Sequence, residues 1–254
     1  RTYKDGRKVT VYYHKVLEAK LILGDKIVVS LGTEFIENER SDVSKQDCET
    51  KAAKRLLERI KKEYPRLPIC IQGDAMYATE PMMEICRLNG WKYIFSHKEA
   101  QQRVLADNYN LLSLEDGKQK VQGIGAEKGT AIYCNGIGKM AGKTEIMNVY
   151  EYTCKKIIKK QEKTVHFQWI TDIELTRRNL EEMVRAGRGR WKIENEGFNN
   201  QKNGIYHIQH LNSRNSNAMK NHYLLTQIAD ILMQLYLAWN PIIKEIKQSI
   251  KNTS

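Results

Sequence analysis

Two carboxylates in this sequence stand where metal-dependent chemistry could occur. Asp74 closely follows the short apolar run 67–72 in IQGDAMYATE, which predicts a carboxylate at the carboxyl end of a buried strand, a common position for α/β active sites. The alternative is a turn or capping aspartate. Glu194 lies in the predicted helix GRGRWKIENEGFNNQKN, four residues after Arg190 and four before Phe198. The three side chains are therefore expected on one helical face.

The neighbours of Glu194 bear on its role. Trp191, Ile193 and Phe198 predict that much of this helix is buried, and a glutamate beside buried aromatic residues needs a cation or a metal ion as its partner. A surface pair with Arg190 is the alternative. We take Asp74 and Glu194 as candidate metal ligands, with phosphoryl transfer as the chemistry that metals and arginines support together.

Basic side chains concentrate near this helix and at the tip of a predicted hairpin. Arginine-rich helices are often only solvated, but beside a candidate metal carboxylate they favour contact with phosphate. His207 and His210 have a spacing seen in metal sites, yet without a third ligand nearby we expect packing or polar contacts. The two basic groups are Arg177, Arg178, Arg185, Arg188, Arg190, Lys192 and Lys202 at the helix, and Lys155, Lys156, Lys159, Lys160 and Lys163 at the hairpin.

Composition favours a globular protein with a polyanionic partner. The 254 residues include 42 Lys and Arg against 30 Asp and Glu, a net charge of +12, which favours nucleic acid as a partner. Five cysteines without a CxxC pair argue against a zinc ribbon or a disulfide framework and indicate a reducing compartment. Polar residues interrupt the apolar stretch 223–239, which predicts a core helix and no membrane span. We expect a cytoplasmic protein.

The order of predicted elements indicates an α/β fold with mostly local connections. Residues 8–36 predict a hairpin, 47–63 an amphipathic helix and 67–72 a buried strand; a helix from Thr79 to Gly90 and a strand over 91–95 follow. The last two strands should be parallel, because a crossover helix joins them. We expect residues 1–95 to form the first part of the core, 96–170 a β-rich insertion, and 171–254 the helical remainder.

Three helices are predicted in the C-terminal part. Thr176 is a candidate N-cap for a helix over 177–186, and further helices are expected over 188–202 and 217–239. The last helix carries one apolar face made of Leu224, Leu225, Ile228, Ile231, Leu232 and Leu235.

At these residues the sequence resembles the DDE transposases of bacterial insertion sequences, in the group with a Tyr-x2-Arg-x3-Glu-x6-Lys motif. The segment RWKIENEGFNNQKNGIYHIQH matches best, with Arg190 and Glu194 in place. Supporting matches, in the family's order, are TVYYHKVLEAKL, QDCETKAAKRLLERI, ICIQGDAMYATEPMMEICRLNGWKYIF and FQWITDIEL. Two positions depart from the motif: Gly187 stands for Tyr, and Gln201 stands for Lys, with Lys202 one residue further.

The resemblance implies a ribonuclease-H-like mixed sheet with flanking helices, interrupted by the β-rich insertion. It also implies three carboxylates that hold two Mg²⁺ ions, with Mn²⁺ as a substitute, and Asp74 and Glu194 match the second and third. Arg190 and Lys202 complete the implied catalytic set. DNA ends and target DNA are the implied substrates of a homodimer. Contacts to that DNA are expected from Arg185, Arg188, Lys192, Lys155, Lys156, Lys159 and Lys160.

The first carboxylate has no match in this sequence. The resemblance places it on a central strand ahead of the hairpin, so we expect that strand to be missing from this chain and the chain alone to be inactive. Two other interpretations remain open. One is a non-catalytic DNA-binding remnant, and the other is a ribonuclease-H-like nuclease that cuts without joining strands.

Overall fold

A computed structural model describes residues 6–8, 14–24, 27–37, 47–100, 102–137, 147–158, 161–210 and 212–240. The chain forms two compact units. The first unit comprises residues 1–65 together with 192–254, and the second comprises residues 66–191. The domain boundaries expected after residues 95 and 170 stay a prediction.

The first unit is built on a β-hairpin. Strands β1 (Lys15–Leu23) and β2 (Ile27–Ile36) pair antiparallel, with an irregularity in register between Ala19 and Lys20. Helix α1 (Glu49–Glu63) packs against β2 through its apolar face. Gly32 permits this close approach, because a Cβ at that position would lie 2.9 Å from Leu56 Cδ1. The predicted hairpin and amphipathic helix are both confirmed.

Three helical elements complete the first unit: a π-helical segment (Ile193–Asn199), helix α5 (Asn200–Asn203) and helix α6 (Ser216–Trp239). Helix α6 packs on β2, but not through its apolar face. The residues that it buries are Tyr223, Thr226, Gln227 and Asp230. Leu225 is 64% exposed and Leu232 is 63% exposed.

The expectation of a buried apolar face on α6 is therefore wrong. Of the predicted residues, Leu224, Leu225, Ile228 and Leu232 are exposed, while Ile231 and Leu235 are half-buried. The polar side is buried because its side chains find hydrogen-bond partners on the hairpin. Gln234 Nε2 donates to Val28 O, and Val28 N donates to Gln234 Oε1, both at 2.8 Å.

The second unit contains a six-stranded mixed sheet in the order β3-β4-β8-β7-β6-β5. Strand β3 (Cys70–Gly73) pairs parallel with β4 (Lys92–Ser96), and helix α2 (Glu80–Leu88) connects them. The remaining strands are β5 (Gln119–Ile124), β6 (Gly129–Ile137), β7 (Met147–Ile158) and β8 (Gln161–Thr171), each antiparallel to its neighbours. The predicted α/β class with a mixed sheet is confirmed.

The β-rich segment adds strands to this sheet, because β8 pairs with β4. It also contains helix α3 (Arg103–Leu111), which the sequence analysis did not predict. Only Leu105, Ala106 and Tyr109 of α3 are buried, and the helix packs on β6. With nine residues and several Asn and Asp side chains, α3 depends on this tertiary packing more than on helix propensity.

Helix α4 (Leu180–Lys192) covers the core of the second unit. Thr176 and Asn179 form a reciprocal capping pair at its start: Thr176 N donates to Asn179 Oδ1 at 2.8 Å, and Asn179 N donates to Thr176 Oγ1 at 3.3 Å. The predicted break near Gly187 is absent, and α4 continues to Lys192. No helix among the described residues is long and apolar enough to cross a membrane.

Candidate active site

Asp74 is the first residue after β3, at the carboxyl end of the strand, which pairs parallel with β4. It caps a short 3-10 turn (Ala75–Tyr77), and Asp74 Oδ1 accepts a hydrogen bond from Met76 N at 3.0 Å. The side chain is half-buried. The capping role considered from the sequence is thus real, and it uses only one of the two oxygens. Asp74 Oδ2 has no hydrogen-bond partner among the described residues and is free to bind a ligand.

Gly73 fixes the approach to Asp74. A Cβ at this position would lie 3.0 Å from Tyr77 and 3.2 Å from Phe95 Cδ1. Such contacts are tighter than ordinary packing. Only glycine lets the chain leave β3 and turn at Asp74 without displacing both rings.

His97 is a residue of this strand edge that the sequence analysis missed. It follows β4 directly, as Asp74 follows β3, and it is 7% exposed. Its Nδ1 lies 2.5 Å from Gln168 Oε1, and its buried Nε2 has no hydrogen-bond partner in the described part of the chain. Because an amide oxygen only accepts hydrogen bonds, Nδ1 is the donor in this contact. The position after a parallel strand was the only sequence signal that could have found it.

Glu194 lies in the π-helical segment, where the backbone hydrogen bonds run from residue i to i+5. One turn holds more residues there than in an α-helix. The expected common face of Arg190, Glu194 and Phe198 stays a prediction. π-Helical turns within helices occur frequently at functional sites.

The surroundings of Glu194 also differ from the prediction. Trp191 is 64% exposed, Ile193 and Phe198 are half-buried, and Glu194 itself is exposed. The expected burial among aromatic residues is wrong, because the buried position of this segment is Gly197. Glu194 forms no hydrogen bond or ion pair with any described residue, so both of its oxygens are accessible.

The hairpin supports the segment that carries Glu194. A Cβ on Gly197 would lie 3.6 Å from Val28 Cγ1 and 3.8 Å from Lys20 Cε, ordinary packing distances. Lys20 Nζ also lies 5.6 Å from the centroid of the Phe198 ring. The π-helical segment is thus packed on β1 and β2 through its glycine.

A buried polar network lies beneath this contact. Glu18 and Lys20 form an ion pair at 3.9 Å with both side chains fully buried. Lys20 Nζ donates to Gln227 Oε1 at 2.6 Å. Burial raises the pKa of Glu18, and burial lowers the pKa of Lys20 against the opposing charges of Glu18 and Asp230. The network joins the hairpin to α6. Each buried charge in it is compensated by a neighbouring charge of opposite sign, so the loss of one partner would leave the other uncompensated.

Gln201, which stands at the motif lysine position, belongs to the same network. Its side chain is fully buried, and its Nε2 donates to Asp230 Oδ2 at 2.7 Å and to Gln227 Oε1 at 2.9 Å. Lys202 is exposed, with its Nζ 5.8 Å from the centroid of the Phe198 ring. The amide at 201 is thus structural, while the cation at 202 faces the surface.

Gly187, at the motif tyrosine position, lies against Trp169. A Cβ on Gly187 would lie 2.6 Å from Trp169 Cε2. Trp169 is buried and stacks on Tyr150 at 5.0 Å between ring centroids. A tyrosine side chain at position 187 would overlap the indole of Trp169. The Trp169 ring of β8 therefore fills the space next to the position at which the motif has a tyrosine.

Several of the predicted DNA-contacting cations have acidic partners. Arg188 donates to both oxygens of Glu127 at 2.8 Å, and Lys156 lies 3.3 Å from the same carboxylate. Arg188 holds the pKa of Glu127 down to about 2. Glu127 was not singled out by the sequence analysis, since nothing in the chain order indicates that it faces α4.

The other predicted cations differ in their surroundings. Lys155 pairs with Glu162 at 2.9 Å and Arg185 with Glu182 at 3.7 Å, with all four side chains more than half exposed. Arg190 is half-buried and has no ion-pair partner among the residues the structure describes. Lys192 ends α4 and is half-buried. Lys159 and Lys160 lie outside the described residues.

The carboxylates suit a hard divalent cation, which prefers oxygen ligands. Asp74 belongs to the second unit and Glu194 to the first, and each offers at least one oxygen without a protein partner. Within the described residues no group of three His, Cys, Asp or Glu side chains could hold a metal ion. Each carboxylate thus fits the role of a metal ligand individually.

The sequence matches a model of a known protein family. A family model described as the transposase DDE domain matches residues 27–231, a range that includes Asp74, Arg190 and Glu194. No curated protein matches the chain.

Proposed function

We propose that the chemistry of this chain is metal-dependent cleavage and joining of DNA. The premise is that the chain belongs to the transposase DDE domain family. DNA is the substrate that the family implies, and a nuclease-type phosphoryl transfer is its reaction. The finer proposal is that the chain belongs to the Tyr-Arg-Glu-Lys group and acts at insertion-sequence ends.

One observation carries the assignment of the residues. Asp74 and Glu194, at the two positions that match the family's carboxylates, each keep an oxygen that no described protein group uses. Glu127 differs in this respect, because both of its oxygens accept from Arg188. A carboxylate that is held at a strand end or on a packed segment, yet lacks a partner, is suited to bind a cation.

The chain's own residues then have distinct roles. Asp74 and Glu194 would hold Mg²⁺ or Mn²⁺, which supplies activation of an attacking hydroxyl and charge stabilisation at phosphorus. Asp74 is oriented by its hydrogen bond from Met76 N. Arg190, without an ion-pair partner among the described residues, would contact a substrate phosphate, and the exposed ammonium of Lys202 would do so in place of the motif lysine.

The test compares Asp74→Asn and Glu194→Gln with the matched control Glu196→Gln, which changes the neighbouring glutamate of the π-helical segment. Binding of Mn²⁺ is measured by electron paramagnetic resonance. Each of the first two substitutions should weaken binding at least tenfold, and Glu196→Gln should leave it unchanged. Equal Mn²⁺ binding by all three variants would contradict the assignment.

Activity is tested separately on DNA that carries the element's ends. Mg²⁺-dependent cleavage and strand joining are measured for the 254-residue chain and for the same chain extended by the upstream codons of its gene. We propose that cleavage depends on the extension and is abolished by Asp74→Ala or Glu194→Ala. Cleavage without joining would favour another ribonuclease-H-like nuclease.

The net charge of +12 and the basic side chains of α4 favour one second candidate, a chain that binds DNA without reacting. It would show salt-sensitive DNA binding and no cleavage in either form. A homodimer on DNA and a cytoplasmic, nucleoid-associated location also stay proposals.

A further inference from the structure

A cleft lies in the first unit, and the residues that line it follow the π-helical segment of Glu194 along the chain. Its volume is about 590 Å³, within the range of pockets that bind small ligands. We call it the histidine cleft. Its side chains include the imidazoles of His207, His210 and His222, the ammonium of Lys202, the phenol of Tyr206 and the amide of Asn212.

The lining of the histidine cleft is suited to an anion. It includes no carboxylate. The imidazoles of His207, His210 and His222 form no hydrogen bond or ion pair with described residues. The Lys202 ammonium lies near the Phe198 ring and has no ion-pair partner among the described residues. All of these groups can donate hydrogen bonds, and four of them can carry positive charge. An acceptor-rich, negatively charged ligand would satisfy them together.

Tyr206 adds an independent indication of a ligand. Its hydroxyl oxygen is buried, yet it has no hydrogen-bond partner in the described part of the chain. Burial, with a contribution from the charge of Asp230, raises the pKa of this phenol. Tyr206 therefore keeps its proton and remains a donor. A buried donor without an acceptor carries a free-energy cost that a bound oxygen would remove.

A metal ion is the obvious alternative for a site with three histidines. The spacing of His207 and His210 resembles that of metal ligands, but no three His, Cys, Asp or Glu side chains in the described residues are placed to hold an ion. The imidazoles therefore line the cleft without converging on one point, which fits a ligand with several acceptor oxygens.

We propose that the histidine cleft binds a phosphodiester group of the DNA substrate. Lys202 and the three imidazoles contact the phosphate oxygens, and Tyr206 donates to one of them. The inference rests on the proposed function, which gives DNA as the polymer. The same donors would also recognise the phosphate group of another ligand. Lys202 follows Glu194 by eight residues in the same unit, and the net charge of +12 favours a polyanion.

The experiment uses the whole chain without divalent metal. Histidine side-chain resonances are followed by NMR while a duplex oligonucleotide, inorganic phosphate or a mononucleotide is added. We expect the resonances of His207, His210 and His222 to shift with DNA. DNA affinity is then measured at several salt concentrations. Lys202→Ala should reduce the slope of log affinity against log salt by about 1, the effect of losing one phosphate contact.

Control variants separate binding from folding. Lys62→Ala removes an exposed lysine of α1 in the same unit and should leave the slope unchanged. His207 has a backbone φ of 45°, a left-handed conformation that asparagine tolerates. His207→Asn therefore keeps the loop while removing the imidazole, and it should weaken DNA binding about threefold or more, with an unchanged melting temperature.

The outcomes distinguish the cleft from the proposed function. Shifts with phosphate or mononucleotide but not with DNA would support the anion subsite and overturn its assignment to the DNA backbone. Absence of shifts with all three ligands, together with an unchanged salt slope in Lys202→Ala, would overturn the cleft. Mn²⁺ binding that depends on Asp74 and Glu194 would still support the proposed function, because that measurement contains no DNA.

Discussion

Gly187 and Trp169 are in such close contact that a Cβ on the glycine would lie 2.6 Å from the indole ring. The contact joins α4 to β8 within the second unit and explains why a glycine stands where the resembled motif has tyrosine. It also explains why α4 does not end at this residue. The space that a side chain would need is filled by a buried ring that stacks on Tyr150.

Gly187→Ala should therefore destabilise the second unit. Overpacking of a core typically costs about 1–3 kcal/mol, and the indole cannot move without disturbing Tyr150. Gly189→Ala is the matched control in the same helix, because its Cβ would lie 3.7 Å from Gln72 Oε1. That substitution should be neutral or stabilise by up to about 1 kcal/mol through helix propensity. Urea denaturation measures both, and equal effects would contradict the packing argument.

Gln201→Leu should cost about 1–3 kcal/mol, because Asp230 and Gln227 would lose a hydrogen-bond donor in a buried site. The adjacent substitution Lys202→Ala alters an exposed side chain and should stay within about 0.5 kcal/mol. The free energy of unfolding from denaturant titration tests the pair. A larger loss of unfolding free energy from Lys202→Ala than from Gln201→Leu would contradict the structural role of Gln201 and the surface position of Lys202.

Lys20→Met should be among the most destabilising single changes in the first unit. It leaves the buried carboxylate of Glu18 without its cation, and breaking a buried pair costs about 3–5 kcal/mol. Lys62→Met, at an exposed position of α1, provides the control for the loss of a lysine. The double variant Glu18→Gln, Lys20→Met should recover part of the loss, since no uncompensated charge remains. Thermal unfolding of wild type, Glu18→Gln, Lys20→Met and the double variant measures the coupling.

Glu127→Gln should lower stability at neutral pH by about 1 kcal/mol, a modest amount because the ion pair is partly exposed. The pKa of Glu127 is lowered in the folded protein, from 4.5 to about 2. The stabilisation is therefore complete above pH 4.5 and is lost as the pH falls through about 2. The difference between wild type and Glu127→Gln should shrink in that window. Glu162→Gln, which changes an exposed ion pair, should alter stability at neutral pH by no more than about 0.5 kcal/mol.

Much of the fold follows from local sequence patterns. The hairpin, α1 and the parallel strands β3 and β4 were all predicted, because their apolar periodicities and turn residues are local properties. Thr176 was predicted as a cap for the same reason. Helix α3 was not predicted, since its three buried side chains gain their stability from packing on β6.

The residues of the candidate site stay a prediction, and their environment differs from the expectation. Asp74 and Glu194 were identified by position and resemblance. The π-helical conformation at Glu194, the exposure of Trp191 and the buried Nε2 of His97 were not predicted. Each of these depends on which neighbours a residue meets in the folded chain, which spacing along the sequence does not specify.

By itself the sequence determined the α/β class, the hairpin with α1 and the parallel strands β3 and β4, and it indicated two candidate carboxylates, since periodicity, turn chemistry and motif spacing are local properties of the chain. Only the tertiary structure decided which polar groups already have partners. Arg188 faces Glu127 and Gln201 faces Asp230, while Glu194 faces no described protein group. The reason is physical: a charge becomes structural or reactive according to whether folding brings a compensating group within hydrogen-bond distance.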